Sequence, residues 1–228
     1  MFKSQKVGAI IVAAGRGERM GGIDKIFAPL GGTSMLERVA GVFDASPYID
    51  HFVIVLNEDN VERGKLLLSG NNLSKLAKVV PGGSRRQDSV ESGLKNLPAC
   101  QWVVIHDGAR PLVEDALITA GLEAAQETGA AVAAVPVIDT VKLVDDGGYV
   151  KETLSRSRLW AVQTPQVFRF DIIKEAYSKA TGDVTDDAAL VETLGYSVKL
   201  YMGAYDNIKL TTPADLALAE ALWLRKEG

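Results

Sequence analysis

Apolar residues along this chain follow two alternating rhythms. Continuous apolar runs at Val7 to Val12, Phe52 to Leu56, Trp102 to Ile105 and Ala130 to Val137 have the length and unbroken character of strands buried on both faces. Between them the spacing lengthens to that of a helix. Met35, Leu36, Val39, Val42 and Phe43 recur at helical intervals after Ser34, and Ser34 with Glu37 forms a capping-box signature. Further helical patterns follow Arg85 through Val90 and Leu94, then cover Glu114 to Thr128, Ile172 to Ala180, and Asp215 to Lys226 with Pro213 near the first turn. Strands alternating with helices predict an α/β fold, with a mostly parallel sheet covered by helices on both faces.

One stretch departs from this rhythm. Thr140 to Val144 and Tyr149 to Leu154 alternate with period two around Asp145-Asp146-Gly147-Gly148, which predicts a β-hairpin. An isolated hairpin is marginal in water, so this one must pack either on its own domain or on a second copy of the chain.

With 228 residues, 47% of them hydrophobic, the chain fits a single large domain spanning 1–228, with 138–160 as an embedded arm. A net charge of -4 argues against general binding to nucleic acid or anionic membrane and leaves room only for a local basic pocket, so any phosphate partner should be small. The first apolar run is short and interrupted by Gly8 and Gly15, which predicts neither a signal peptide nor a membrane span and points to the cytoplasm. A lone cysteine, Cys100, excludes an internal disulfide and a thiolate metal cluster, and beside Trp102 it reads as a packing residue.

The chemistry concentrates at strand ends. The first strand runs into Ala14-Gly15-Arg16-Gly17-Glu18-Arg19-Met20-Gly21-Gly22, with Lys25 close behind: small residues that admit an anion, followed by cations. A P-loop needs lysine directly after its glycine, and here Ile23 and Asp24 intervene. A dinucleotide fingerprint needs a third glycine where Met20 stands, and an acid about 20 positions on at the end of the second strand, which here ends near Leu56-Asn57, too far downstream. Four further segments are expected just beyond the carboxyl ends of strands, where open α/β sheets hold ligands. In Pro81-Gly82-Gly83-Ser84-Arg85-Arg86-Gln87-Asp88-Ser89, the glycines permit close approach and Ser89 can donate to base or phosphate. In His106-Asp107-Gly108-Ala109-Arg110-Pro111, Asp107 can take a hydroxyl or a hydrated magnesium ion and Arg110 can grip phosphate. His106 lacks a readable catalytic partner and is expected, like His51, to be packed and hydrogen-bonded. In Ser155 to Phe168, Arg156 and Thr164 can face an anion while Pro165 sets an extended or turned exit. Lys209 in Asp206-Asn207-Ile208-Lys209 offers a point charge.

Taken in order along essentially the whole chain, these segments resemble the 2-C-methyl-D-erythritol 4-phosphate cytidylyltransferases of non-mevalonate isoprenoid synthesis. The match runs through Arg19 and Lys25, Gly82-Gly83 with Arg85 and Ser89, His106 to Pro111, Asp139-Thr140, Thr164-Pro165-Gln166, Thr185-Asp186, and Asp206 to Lys209. The resemblance implies a Rossmann-like nucleotidyltransferase fold with a projecting β-hairpin arm, and a homodimer in which each arm completes its neighbour's site. It implies transfer of CMP from CTP to a sugar-alcohol phosphate, with pyrophosphate leaving. On these positions Arg19, Lys25, Arg156 and Lys209 would be catalytic, with Arg156 and Lys209 holding the acceptor's phosphate and Arg156 crossing the dimer. Asp107, Arg110, Thr140, Thr164 and Thr185 would frame the acceptor. Ala13, Ala14, Gly15, Gly17, Pro81, Gly82, Gly83, Ser89, Gly108 and Ala109 would hold the nucleotide; many relatives carry two alanines where this chain has Gly108-Ala109. Mg2+ would travel mainly on the CTP phosphates, since no cage of carboxylates is evident, with Asp107 as an outer-shell contact at most. A ribitol 5-phosphate cytidylyltransferase would share the nucleotide loops, and a nucleotide sensor would keep the fold without needing all four cations.

Overall fold

The computed structural model describes residues 1–15, 25–180 and 182–227. Its centre is a seven-stranded sheet built from β1 (Val7–Ala13), β4 (His51–Leu56), β5 (Leu76–Pro81), β6 (Trp102–Asp107), β7 (Ala130–Pro136), β10 (Trp160–Arg169) and β11 (Lys199–Met202), in the spatial order β11-β7-β10-β6-β1-β4-β5. Every neighbouring pair is parallel except those made by β10, which runs antiparallel to both β6 and β7.

The apolar runs alternate between two layers, as residues on a pleated strand must. Val7, Ala9 and Ile11 of β1 and Phe52, Ile54 and Leu56 of β4 face one layer, where they meet α1 (Met35–Ala45), α2 (Val61–Leu68) and α4 (Asp115–Thr128). Ile10, Val53, Val55, Val103 and Ile105 face the other, against α3 (Arg86–Asn96), α5 (Phe170–Lys179) and α6 (Asp187–Thr193). The expected α/β sheet with two covered faces is therefore observed. The α1 cap also forms as the sequence predicts: Glu37 N–H donates to Ser34 Oγ at 3.2 Å, and Ser34 N–H donates to Glu37 Oε2 at 3.0 Å. A third, smaller core seats α7 (Pro213–Glu227) beside a short ribbon of β2 (Pro29–Leu30) and β3 (Thr33–Ser34).

The segment from Ser155 to Phe168 needs correction. Most of it is not a loop beyond a strand: it contains β10, and Thr164-Pro165 lies in the strand's interior, with a cis peptide bond and a register shift between Val162 and Gln166. Polar Gln163, Thr164 and Gln166 break the apolar pattern of a central strand, and Pro165 has no N–H for the ladder. The hairpin forms as β8 (Lys142–Val144) and β9 (Val150–Thr153), slightly shorter than its sequence pattern, and pairs with no strand of the main sheet. Cys100 is half-buried, and burial pushes its thiol up to about 11. No helix among the described residues is long and apolar enough to cross a membrane.

Candidate active site

The parallel strands deliver their carboxyl ends to one edge of the sheet, and the antiparallel β10 delivers its amino-terminal half to the same edge. A cleft of about 440 Å³ opens there, lined by residues that include Arg86, Asp107, Arg110, Thr164, Gln166, Thr185 and Lys209. That volume suits a small organic ligand. A larger groove of about 580 Å³ beside α2 and β5 has only Lys65 and Lys78 as charged lining.

Asp107, the last residue of β6, is the hub of the cleft. Its Oδ1 takes Arg86 Nε at 3.2 Å, its Oδ2 takes Lys209 Nζ at 2.8 Å, and Arg110 Nε stands 3.9 Å from Oδ2. Burial works against the charged carboxylate, but Arg86 and then Lys209 outweigh it, so Asp107 stays ionised with a pKa well below the usual carboxylate range. Arg86 is shared: its Nη2 lies 2.9 Å from Asp187 Oδ2, and Tyr177 donates its hydroxyl to Asp187 Oδ1 at 2.6 Å. Three cations over two carboxylates leave the cluster net positive, a field suited to an anion. Arg110 reinforces this. It is buried, its Nη1 donates to the Asn207 carbonyl at 2.7 Å, and its Nε has no hydrogen-bond partner within the protein. An unsatisfied buried donor on a cleft wall is poised for a ligand oxygen.

The segment carrying Lys209 is tied to the end of β6. Leu210 N–H donates to the Ala109 carbonyl at 2.8 Å, and Asn207 Nδ2 donates to the Thr164 carbonyl at 2.7 Å. Lys25 Nζ donates to the Leu210 carbonyl at 3.0 Å, which brings the opening loop's lysine beside this segment. Arg19 and Gly17 lie outside the described residues.

The residues assigned to the nucleotide also converge. Gly82 and Gly108 matter through missing side chains: a Cβ on Gly82 would stand 2.7 Å from Ala14 Cβ, and one on Gly108 would stand 2.8 Å from Ala13 Cβ. Ala13, Ala14, Gly82, Gly83, Gly108 and Ala109 thus gather where β1, β5 and β6 end, with Pro81 exposed as the last residue of β5 and Gly15 exposed past β1. Three of the glycine amides are already engaged within the fold, however. Gly82 N–H donates to the Leu56 carbonyl, Gly108 N–H to the Val12 carbonyl and Gly83 N–H to Ser89 Oγ. Ser89, expected to donate to base or phosphate, instead donates to the Arg85 carbonyl at 3.1 Å and so fixes the loop from behind.

Thr140 and Arg156 stand apart from the cluster. Thr140 is exposed on the arm, and Arg156 is exposed in the turn after it, donating to the Ile138 carbonyl at 2.6 Å. Thr185 is exposed on the cleft wall. The two arginines of the second motif part ways: Arg85 precedes α3 and reaches to Asp88 and Asp183 at the surface, whereas Arg86, one position on, turns inward to Asp107. Arg86, Asp187 and Tyr177 went unpredicted. The adjacent arginines and the paired Asp186-Asp187 were the available signal. His106 is buried and hydrogen-bonded as expected, with burial pushing its pKa down to about 4, and His51 bonds through Nε2 to the Pro98 carbonyl at 3.0 Å. Among the described residues no three histidine, cysteine or acidic side chains converge as a metal site.

The family model for 2-C-methyl-D-erythritol 4-phosphate cytidylyltransferase matches residues 7–225. The chain belongs to that family. It is 54% identical over 222 residues to the 2-C-methyl-D-erythritol 4-phosphate cytidylyltransferase of Dehalococcoides mccartyi, covering 97% of this chain and 98% of the relative. Among solved structures, the 4-diphosphocytidyl-2C-methyl-D-erythritol synthase of Anaerococcus prevotii superposes with a TM-score of 0.86 at 33% identity, covering 97% of this chain and 96% of that one. The 2-C-methyl-D-erythritol 4-phosphate cytidylyltransferase of Thermus thermophilus superposes at 0.79 with 35% identity, over 95% and 98% of the two chains. Membership makes the chain a nucleotidyltransferase enzyme, and its sheet and two helical layers are that family's fold.

Proposed function

We propose that this chain transfers the CMP group of CTP to 2-C-methyl-D-erythritol 4-phosphate, releasing pyrophosphate and giving 4-diphosphocytidyl-2-C-methyl-D-erythritol for isoprenoid precursor synthesis. The observation that carries the reading is the charged cleft at Asp107, where Lys209 and the unpartnered Arg110 Nε face a space of small-ligand size. A phosphate oxygen of the acceptor attacks the α-phosphorus of CTP in line, a new P–O bond forms, and the bond from the α-phosphorus to the bridging oxygen breaks. Such a transfer needs positioned reactants and cations aimed at developing charge, and needs no side-chain nucleophile. Lys25 and Arg19 stabilise that charge, and Lys209 holds the acceptor phosphate. Asp107, kept ionised, accepts from acceptor hydroxyls with its remaining lone pairs, while Arg110, Thr164 and Thr185 complete that wall. The alanines and glycines at the ends of β1, β5 and β6 take the nucleotide by shape. Magnesium enters as part of the substrate, on CTP oxygens and water.

The second copy of the chain is the arm's partner. Leu143, Tyr149 and Val150 are 50%, 77% and 59% exposed on a hairpin with no sheet of its own to cover them. In a dimer built through residues 138–160, Thr140 and Arg156 would join the neighbour's cleft, which accounts for their distance from Asp107 in one chain. The enzyme would act in the cytoplasm. Phosphorus NMR of the reaction mixture tests the chemistry: two coupled resonances of a new asymmetric diphosphate should grow with free pyrophosphate. CTP hydrolysis to CMP without that pair would refute the transfer.

A further inference from the structure

Two threads of the cleft, the turn from Asp107 to Arg110 and the strand residue Thr164, meet at one group the proposed chemistry does not use. His106 is fully buried at the end of β6, with its ring 5.5 Å from the Phe43 ring, and both of its nitrogens are engaged. Nδ1 lies 3.0 Å from Thr164 Oγ1, and Nε2 lies 3.1 Å from the Arg110 carbonyl. Donor accounting fixes the direction of every bond. The Arg110 carbonyl can only accept, so Nε2, 3.1 Å away, carries the ring proton, while Thr164 Oγ1 accepts from the Asp107 N–H at 3.0 Å and still has its own proton to give. In the neutral ring that burial favours, Nδ1 is then the acceptor and takes the Thr164 hydroxyl proton.

We infer that His106 is a positioning residue for the acceptor side of the site: as a neutral ring protonated at Nε2, it locks the Thr164 hydroxyl against the Asp107 amide and holds the turn that aims Asp107 and Arg110 into the cleft. The inference rests on the proposed binding of the acceptor at Asp107 and Arg110. It excludes an acid-base role, because each ring nitrogen is bonded inside the fold. Each end of the chain of bonds belongs to an acceptor-side residue, so loosening it alters acceptor binding most and reaches the nucleotide only through Gly108 and Ala109 of the same turn, with the loops after β1 and β5 untouched.

His106→Phe and His106→Asn separate positioning from packing. Phenylalanine keeps the ring's shape beside Phe43 and loses both bonds; asparagine loses the ring and keeps an acceptor near the Nδ1 position. Positioning predicts that Phe raises the KM for the acceptor ~20-fold or more, that Asn raises it less, and that the KM for CTP rises several-fold less than that for the acceptor in both. Packing alone predicts the reverse ranking, and that ranking, or wild-type acceptor KM in the Phe variant, overturns the inference. Nitrogen-15 NMR of the folded wild type gives a readout independent of turnover: a neutral ring protonated at Nε2 near neutral pH is expected, and an Nδ1–H or doubly protonated ring refutes it. Failure of the wild type to use methylerythritol phosphate would instead count against the functional reading, leaving the ring signature intact.

Discussion

Replacing Arg86 with methionine should cost the fold about 3 kcal/mol. Arg86 is the sole bridge described between Asp107, whose side chain is 9% exposed, and Asp187, whose side chain is 1% exposed, at 3.2 Å and 2.9 Å. Removing one partner of a buried pair strands the other charge, typically at about 3–5 kcal/mol. Here the lower end applies, because Asp107 keeps Lys209 at 2.8 Å and Asp187 keeps the Tyr177 hydroxyl at 2.6 Å. For a chain of this size such a loss lowers the melting temperature by roughly 6–12 °C. Urea titration of wild type, Arg86→Met and Arg86→Met/Asp187→Asn gives the comparison. The midpoint should fall in the single variant with m unchanged, and the double variant should recover ~1 kcal/mol or more, since it no longer buries a second unpaired carboxylate. A single-variant loss under ~1 kcal/mol, or no recovery in the double variant, would refute the account of Arg86 as the tie between these acids.

Lys25→Ala should leave CTP affinity within a few fold, measured by calorimetry, while lowering turnover by roughly 100-fold, because its charge matters most as the leaving group departs; wild-type turnover would contradict this. Co-purified mixed dimers of Arg156→Ala and Lys25→Ala chains, each inactive alone, should regain part of the activity if Arg156 works across the dimer, and verified mixed dimers with no recovery would argue for a role within one chain. Stability should fall with pH below neutrality. Burial holds His106 down at about 4 when folded against an ordinary 6.5, so the unfolded chain binds the extra proton and about 3 kcal/mol is lost between those values, which thermal melts of wild type and His106→Asn across this range can follow. Asp107, depressed when folded, adds to the loss only once pH drops into the carboxylate range. A flat profile from pH 7 to about 4.5 in wild type would contradict the buried neutral ring.

The buried parallel strands were legible because they are unbroken apolar runs, and α1 because Ser34 and Glu37 announce its start. The edge strands β5 and β11 were harder: Lys78 interrupts the first and Lys199 begins the second, as half-exposed edges permit. The eight and seven residues of α2 and α6 are too few for periodicity to speak. β10 was hidden by the same residues that serve the site, since Gln163, Thr164, Pro165 and Gln166 look like a loop when read singly. Motif order singled out Asp107, Arg110 and Lys209, three residues that line one cleft. It did not reveal that Arg86 rather than Arg85 reaches Asp107, because the choice depends on helix phase: Arg85 is held by Asp88 three residues on, and the next position turns toward β6. Nor did it show that Ser89 and the amides of Gly82, Gly83 and Gly108 are already paired within the fold, which only the hydrogen-bond geometry discloses.

The most direct test of the central claim is pyrophosphate release from CTP and magnesium with methylerythritol 4-phosphate, run beside ribitol 5-phosphate and a control without acceptor. Stoichiometric release with methylerythritol phosphate, and background with the other two, is the expected result. Preference for ribitol phosphate would contradict the assigned acceptor while leaving the transfer chemistry standing, and silence with both despite CTP binding would contradict the assignment as a working cytidylyltransferase.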